Sequence, residues 1–166
     1  MAVVTSYGAR IMTSLVATPS VLAPPGLGGG VRRTWTEHVV PQAADSIGSV
    51  YRMARLPSSA RIMGASRLIH TAITTATSTF DIGVYNIPGK TNITDSATGI
   101  NTGVVASTAG TKALLATTTN AGKRLWEFTT ATADPKCDLD ICLTLASLAL
   151  VSPSGPVHVE IEYSFD

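Results

Sequence analysis

The sequence predicts an all-β fold, an antiparallel β-sandwich with an extended N-terminal arm and at most one short helix. Three observations lead there. The C-terminal strands alternate apolar and polar side chains with a period of two. From residue 31 onward, turn residues punctuate short apolar runs at regular spacing. The composition, finally, is poor in charge (14%) and aromatics (5%) and rich in Thr, Ala, Ser and Gly. Thr is β-branched and packs well on a pleated surface, whereas Gly and Ser serve turns. With 166 residues the chain is long enough for one domain with a real core. Its charge content is below what a soluble monomer usually displays, so much of the surface is expected to be covered by other protein.

Residues 1–30 stand apart. Pro19, Pro24, Pro25 and the run GLGGG (26–30) exclude helix and central strand. The stretch is read as an extended arm with a Gly/Pro joint, leaving residues 31–166 as the sandwich domain. VRRTWTEHVV (31–40) alternates with its charged residues facing away. SVYRMARL and ARIMGASRLIH form two strands joined through Pro57-Ser58-Ser59, a hairpin or a tight corner. TFDIGVYNI (79–87) puts Phe80, Ile82 and Val84 on one face before Pro88-Gly89 ends it.

Residues 89–110 read as a long Thr/Gly/Asn/Ala-rich surface loop. Thr111 to Ala121 is the one candidate helix, with Ala113 to Ala116 in favour, Gly122 and Lys123 suited to its end, and three consecutive Thr weighing against it. RLWEFT (124–129) returns to strand. In CDLDICLTL, residues 139, 141, 143 and 145 are apolar, and in VHVEIEYSFD Val157, Val159, Ile161, Tyr163 and Phe165 oppose His158, Glu160, Glu162, Ser164 and Asp166. Seven or eight such strands are most consistent with a jelly roll.

Four arginines, at 52, 55, 61 and 67, fall within sixteen positions that hold no acid. Residues 1–83 carry seven Arg against three acids, and residues 84–166 carry five basic residues against eight acids. The two halves are therefore expected to pair within one fold, with Asp138, Asp140, Glu160 and Glu162 on outward strand faces as cross-strand partners. Regular alternation puts Arg52 and Arg55 on opposite faces and Arg61 and Arg67 on one. A pI near 7.8 and scattered aromatics argue against direct nucleic-acid binding. No apolar run reaches membrane-spanning length. MAVVTSYGAR lacks the basic and apolar blocks of a signal peptide. Cys137 and Cys142 lie five apart on opposite strand faces and are not expected to pair, in keeping with a reducing cytoplasm.

Nothing in the sequence groups into reacting chemistry. His38, His70 and His158 lack metal spacing to one another or to Cys, Asp138-x-Asp140 lacks the oxygens calcium needs, and the glycines at 28–30 are not followed by a phosphate-loop Lys. No enzyme, metal or cofactor is expected.

The block SVYRMARLPSSARIMGASRLIH, then TFDIGVYNI, KRLWEF, the Asp-Leu-Asp-Ile strand and the closing VHVEIEYSFD resembles the small capsid cement (decoration) proteins of tailed bacteriophages. The likeness runs through most of residues 30–166, its most specific element being the strand–LPSSARI–strand segment ending in DIGVY. It implies a jelly roll seated on the outside of an HK97-type capsid, made in the bacterial host cytoplasm, without catalysis or cofactor. The implied partners are the major capsid protein of the same virion and further copies of this chain in a symmetric homo-oligomer, a dimer ahead of a trimer.

On that resemblance Arg10, Arg32, Arg33, Arg52 and Arg55 are expected to meet acidic shell surface. Arg61, Arg67, Asp138, Asp140, Glu160 and Glu162 are expected to pair within or between subunits. Two other readings stand beside it: another virion part, such as a head–tail joining, tail or fibre protein, and a carbohydrate-binding sandwich, which two dispersed tryptophans disfavour.

Overall fold

The faultless alternation at the C-terminus becomes the centre of one sheet. In β10 (Val157–Ser164), Val157, Val159 and Ile161 are fully buried while His158 is exposed on the other face. β10 pairs antiparallel with β2 (Arg33–Val39) on one side and β5 (Arg67–His70) on the other, and β8 (Gly110–Ala113) extends the sheet beyond β5. The two-residue β4 (Arg61–Ile62) also pairs with β10. The computed structural model describes residues 5–7, 32–43, 45–72, 78–147 and 155–165.

The second sheet forms around β9 (Asp138–Ser147), whose Leu139, Ile141, Leu143 and Leu145 are all fully buried. β9 lies between β3 (Val50–Pro57) and β6 (Thr79–Asn86), antiparallel to both, and β7 (Ser96–Val105) lies outside β6. β1 (Thr5–Tyr7) runs parallel along the other edge of β3, with Thr5 opposite Val50 and Tyr7 opposite Arg52. Leaving aside β1 and β4, eight strands remain among the described residues. The first, eighth, third and sixth make one sheet, and the second, seventh, fourth and fifth make the other. That is the strand order of a jelly roll. Between the sheets Tyr51, Met53, Leu68, Phe80 and Ile82 are essentially excluded from water, and the Tyr51 and Phe80 rings meet edge to face at 6.0 Å. Each such side chain contributes about 1.5–3 kcal/mol of burial.

Several local expectations are corrected. Residues 96–105 form a strand and not a loop. β7 is an edge strand with Ile100 and Val104 as its buried positions, so its polar text conceals a one-sided pattern interrupted by register shifts against β6. The candidate helix at 111–121 is instead the end of β8, a bend, and a 3-10 turn at Thr118–Asn120. β-branched Thr and adjacent burial of Leu114 and Leu115 suit that path better than one helical stripe. RLWEFT is not a strand either. Leu125–Phe128 is a 3-10 turn that buries Leu125 and Phe128 three residues apart, and Glu127 accepts the Arg124 backbone N–H at 2.6 Å.

ARIMGASRLIH splits into β4 and β5 around a turn at Gly64-Ala65, and Pro57-Ser58-Ser59 turns a corner from one sheet to the other. In β2, Glu37 sits on the core side opposite Val159 and is only 6% exposed, contrary to an outward-facing charge. Among the described residues no helix is long and apolar enough to cross a membrane.

Candidate functional site

The arginine cluster is organised by one irregularity. The register of β3 against β9 slips between Arg52 and Ala54, so Arg52 faces Cys142 and Arg55 faces Asp140. A β-bulge inserts one residue and resets the alternation. Arg52 and Arg55, three apart and expected on opposite faces, thereby share the outer face of this sheet. The indole N–H of Trp35 donates to the carbonyl of Met53, the bulged residue, at 3.1 Å.

Between the two guanidinium groups lies Asp140, on the outward face as expected but with no exposure at all. Arg55 holds it bidentately, Nε to Oδ1 at 2.7 Å and Nη2 to Oδ2 at 3.0 Å, while Arg52 Nη1 donates to Oδ2 at 2.7 Å. Arg52 Nη1 also donates to the carbonyl of Asn86 at 2.7 Å, and its guanidinium lies 5.9 Å from the Tyr85 ring centre. Two cations on one carboxylate keep it covered, and such charge-assisted bonds are about twice as strong as neutral ones.

Asn86 continues the network. Its side chain donates to Ile93 O and Asp95 Oδ1 and accepts from the backbone N–H groups of Asn92 and Ile93, which fixes the loop before β7. Next to it Tyr85 and Thr144 share a hydroxyl bond at 2.7 Å. Burial raises the Tyr85 hydroxyl above its usual range, against the lowering effect of the Thr144 bond. Burial also pushes the Cys142 thiol well up, and that of half-buried Cys137 as well, so neither offers a ready thiolate.

The other sheet presents a different outer face. Arg67 Nε donates to Glu160 Oε2 at 2.6 Å with both side chains substantially exposed. Arg32 Nε stands 3.2 Å from Glu162 Oε2 in ionic contact without hydrogen-bond geometry. His38 and His158 are directly paired across β2 and β10, with ring centres 5.4 Å apart. They border a shallow groove shared with Glu37, Ile69 and Glu160.

The remaining sequence-selected residues are dispersed. Arg61 donates to the carbonyl of Gly122 at 2.9 Å, Arg33 lies 5.5 Å from the Phe165 ring centre, and Asp138 is exposed opposite Pro57. Arg10 lies outside the described residues. The structure thus brings Asp140 together with Arg52 and Arg55, Glu160 with Arg67, and Glu162 with Arg32. Sequence reasoning missed Asn86, Asp95 and the His38–His158 pair. Asn86 meets Arg52, and His38 meets His158, only because of the order the strands take in their sheets, whereas Asn86 and Asp95 belong to one local turn whose polar text carries no distinguishing pattern. Among the described residues no three or more His, Cys, Asp or Glu side chains are grouped as for a metal ion.

No protein-family model matches the sequence, and no curated protein matches it. Among solved structures, the chain is similar to one in the capsid of Ralstonia phage GP4, at 15% identity and a TM-score of 0.70, over 99% of both chains. It is also similar to a chain in the capsid asymmetric unit of cyanophage Pam1, at 22% identity and a TM-score of 0.54, over 90% of this chain and 96% of that one. Both are likenesses of fold: this jelly roll, with the same extent of chain, also occurs in phage capsid structures.

Proposed function

We propose that this protein is a non-enzymatic structural part of a phage virion, and specifically a cement protein on the outside of an HK97-type shell. The observation that carries the reading is the end-to-end match of its jelly roll to a chain in a phage capsid structure. Low charge content, thiols pushed up by burial and a Pro/Gly-broken segment at residues 1–30 support it. In this reading residues 1–30 are an arm and residues 31–166 the body. Copies of the chain associate symmetrically, each presenting the same patch to the shell. Each assembly touches several shell subunits, so individually modest contacts multiply into firm attachment.

Arg52 and Arg55 spend their charge on Asp140 and serve the body. Arg10, Arg32 and Arg33 are the shell-facing cations in this reading, Arg32 with a side chain 66% exposed beside its contact with Glu162. Two measurements test the proposal. In purified virions the chain should stand near a one-to-one or simple fractional ratio to the major shell protein. A ratio of a few per cent would move it to a joining or tail position. The double substitution Arg32→Glu with Arg33→Glu should reduce capsid occupancy while the isolated protein still folds, and unchanged occupancy removes these two residues from the contact.

A further inference from the structure

We propose that His38 and His158 form a two-imidazole site for a borderline divalent transition cation, such as Zn2+ or Ni2+, on the outer face of the β2-β10-β5-β8 sheet. The pair is fixed by the backbone. His158 is the direct cross-strand partner of His38 in an uninterrupted register from Val157–Val39 to Tyr163–Arg33. Cross-strand neighbours hold their Cβ atoms about 4.5–5.5 Å apart, so both rings are delivered to the same spot by rigid elements.

The ring separation fits a shared ligand position. A metal–nitrogen bond of about 2.0–2.1 Å places the cation about 3.2 Å from each ring centre. Two such vectors whose origins are 5.4 Å apart meet at about 115°, close to the tetrahedral angle that Zn2+ prefers. The planes are tilted by 31° and so are not locked face to face. Both residues are exposed, and the groove beside them leaves room for water in the remaining coordination positions.

The surroundings favour a cation without supplying further ligands. Glu160 is taken up by Arg67. Glu37 lies beneath, its Oε1 accepting the His38 backbone N–H at 3.0 Å and standing 3.9 Å from His38 Nδ1, which adds a negative charge close to the pair. Imidazole donors select Zn2+, Ni2+ and Cu2+, whereas Mg2+ and Ca2+ require oxygen. The chemistry of this site is independent of any role in a capsid, and it gives this face a metal-dependent property.

The test is calorimetric titration of the full chain with ZnCl2 and NiCl2, with MgCl2 for comparison. Saturable binding of Zn2+ and Ni2+ but not Mg2+ is expected. His38→Ala and His158→Ala should each weaken it by more than about tenfold, since changes to groups merely supporting a ligand already cost about 10–100-fold. Both variants should melt like the parent without metal, because both positions are solvent-facing. Ni2+ should broaden the imidazole NMR signals of His38 and His158 more strongly than those of His70, which lies one strand away opposite Val157. Absence of saturable binding, or affinity unchanged in either variant, overturns the proposal and leaves two neighbouring hydrated imidazoles.

Discussion

Replacing Asp140 by Asn keeps the shape of the side chain and removes the charge that two arginines share. Asp140 accepts three bonds from guanidinium donors, at 2.7, 2.7 and 3.0 Å. Asn can accept at one atom only and turns a donor toward donors. The side chains of Arg52 and Arg55 are 10% and 15% exposed, so neither cation can regain its hydration in place. Removing one partner of such a buried arrangement costs about 3–5 kcal/mol. At roughly 2–4 °C per kcal/mol for a chain of this size, the melting temperature should fall by about 6–20 °C.

Thermal unfolding followed by circular dichroism reads this directly. A triple variant, Arg52→Met, Arg55→Leu and Asp140→Leu, should lose less than Asp140→Asn alone, because it removes the stranded charges along with the carboxylate. Arg67→Ala, which breaks the exposed pair with Glu160, should cost at most about 1 kcal/mol. An Asp140→Asn melt within about a degree of the parent, or a triple variant weaker than the single one, would refute the account of the bulge as a device that gathers both arginines on one carboxylate.

Three further outcomes follow from the same packing. Gly83→Ala would drive a Cβ into the Ser96 carbonyl oxygen and the Ala97 backbone, so β7 must shift. Urea unfolding should show a loss at the upper end of the overpacking range, about 3 kcal/mol. Gly64→Ala, whose Cβ would meet Ala121 Cβ at an ordinary 3.4 Å, should stay within about 0.5 kcal/mol. Tyr51 donates its hydroxyl to Asp45 at 2.6 Å, and burial first, then this bond, raise its ionisation far above that of a free tyrosine. The unfolded chain therefore ionises first. The stability due to Tyr51 is full below about pH 10 and declines as pH rises beyond it. In denaturant titrations between about pH 8 and 11, Tyr51→Phe should flatten that decline and lower stability at pH 8 by about 1 kcal/mol. An unaltered slope would mean Tyr51 is not the titrating group.

The sequence by itself determined that the chain is a β-sandwich and which face of its best strands meets the core. Alternation in β9 and β10 is a local property, because every second side chain points the same way whatever the neighbouring strand is. Polar β7 escaped that reading, since an edge strand needs only a few buried positions and its Thr, Gly and Asn look like loop text. Leu125 and Phe128 escaped it too, because three-residue spacing in a four-residue turn is too short a signal.

Everything that pairs distant residues was decided by the tertiary structure. Asp140 and the two arginines lie 85 and 88 positions apart, and they meet only because β3 and β9 are neighbours. Whether both arginines reach it depends on a single inserted residue in β3, which flips every side chain after it. His38 and His158 likewise share one spot because the first and last strands of the roll lie side by side. Periodicity specifies a strand's two faces, but strand order and register arise from how both sheets close over one core, and no stretch of sequence carries that alone.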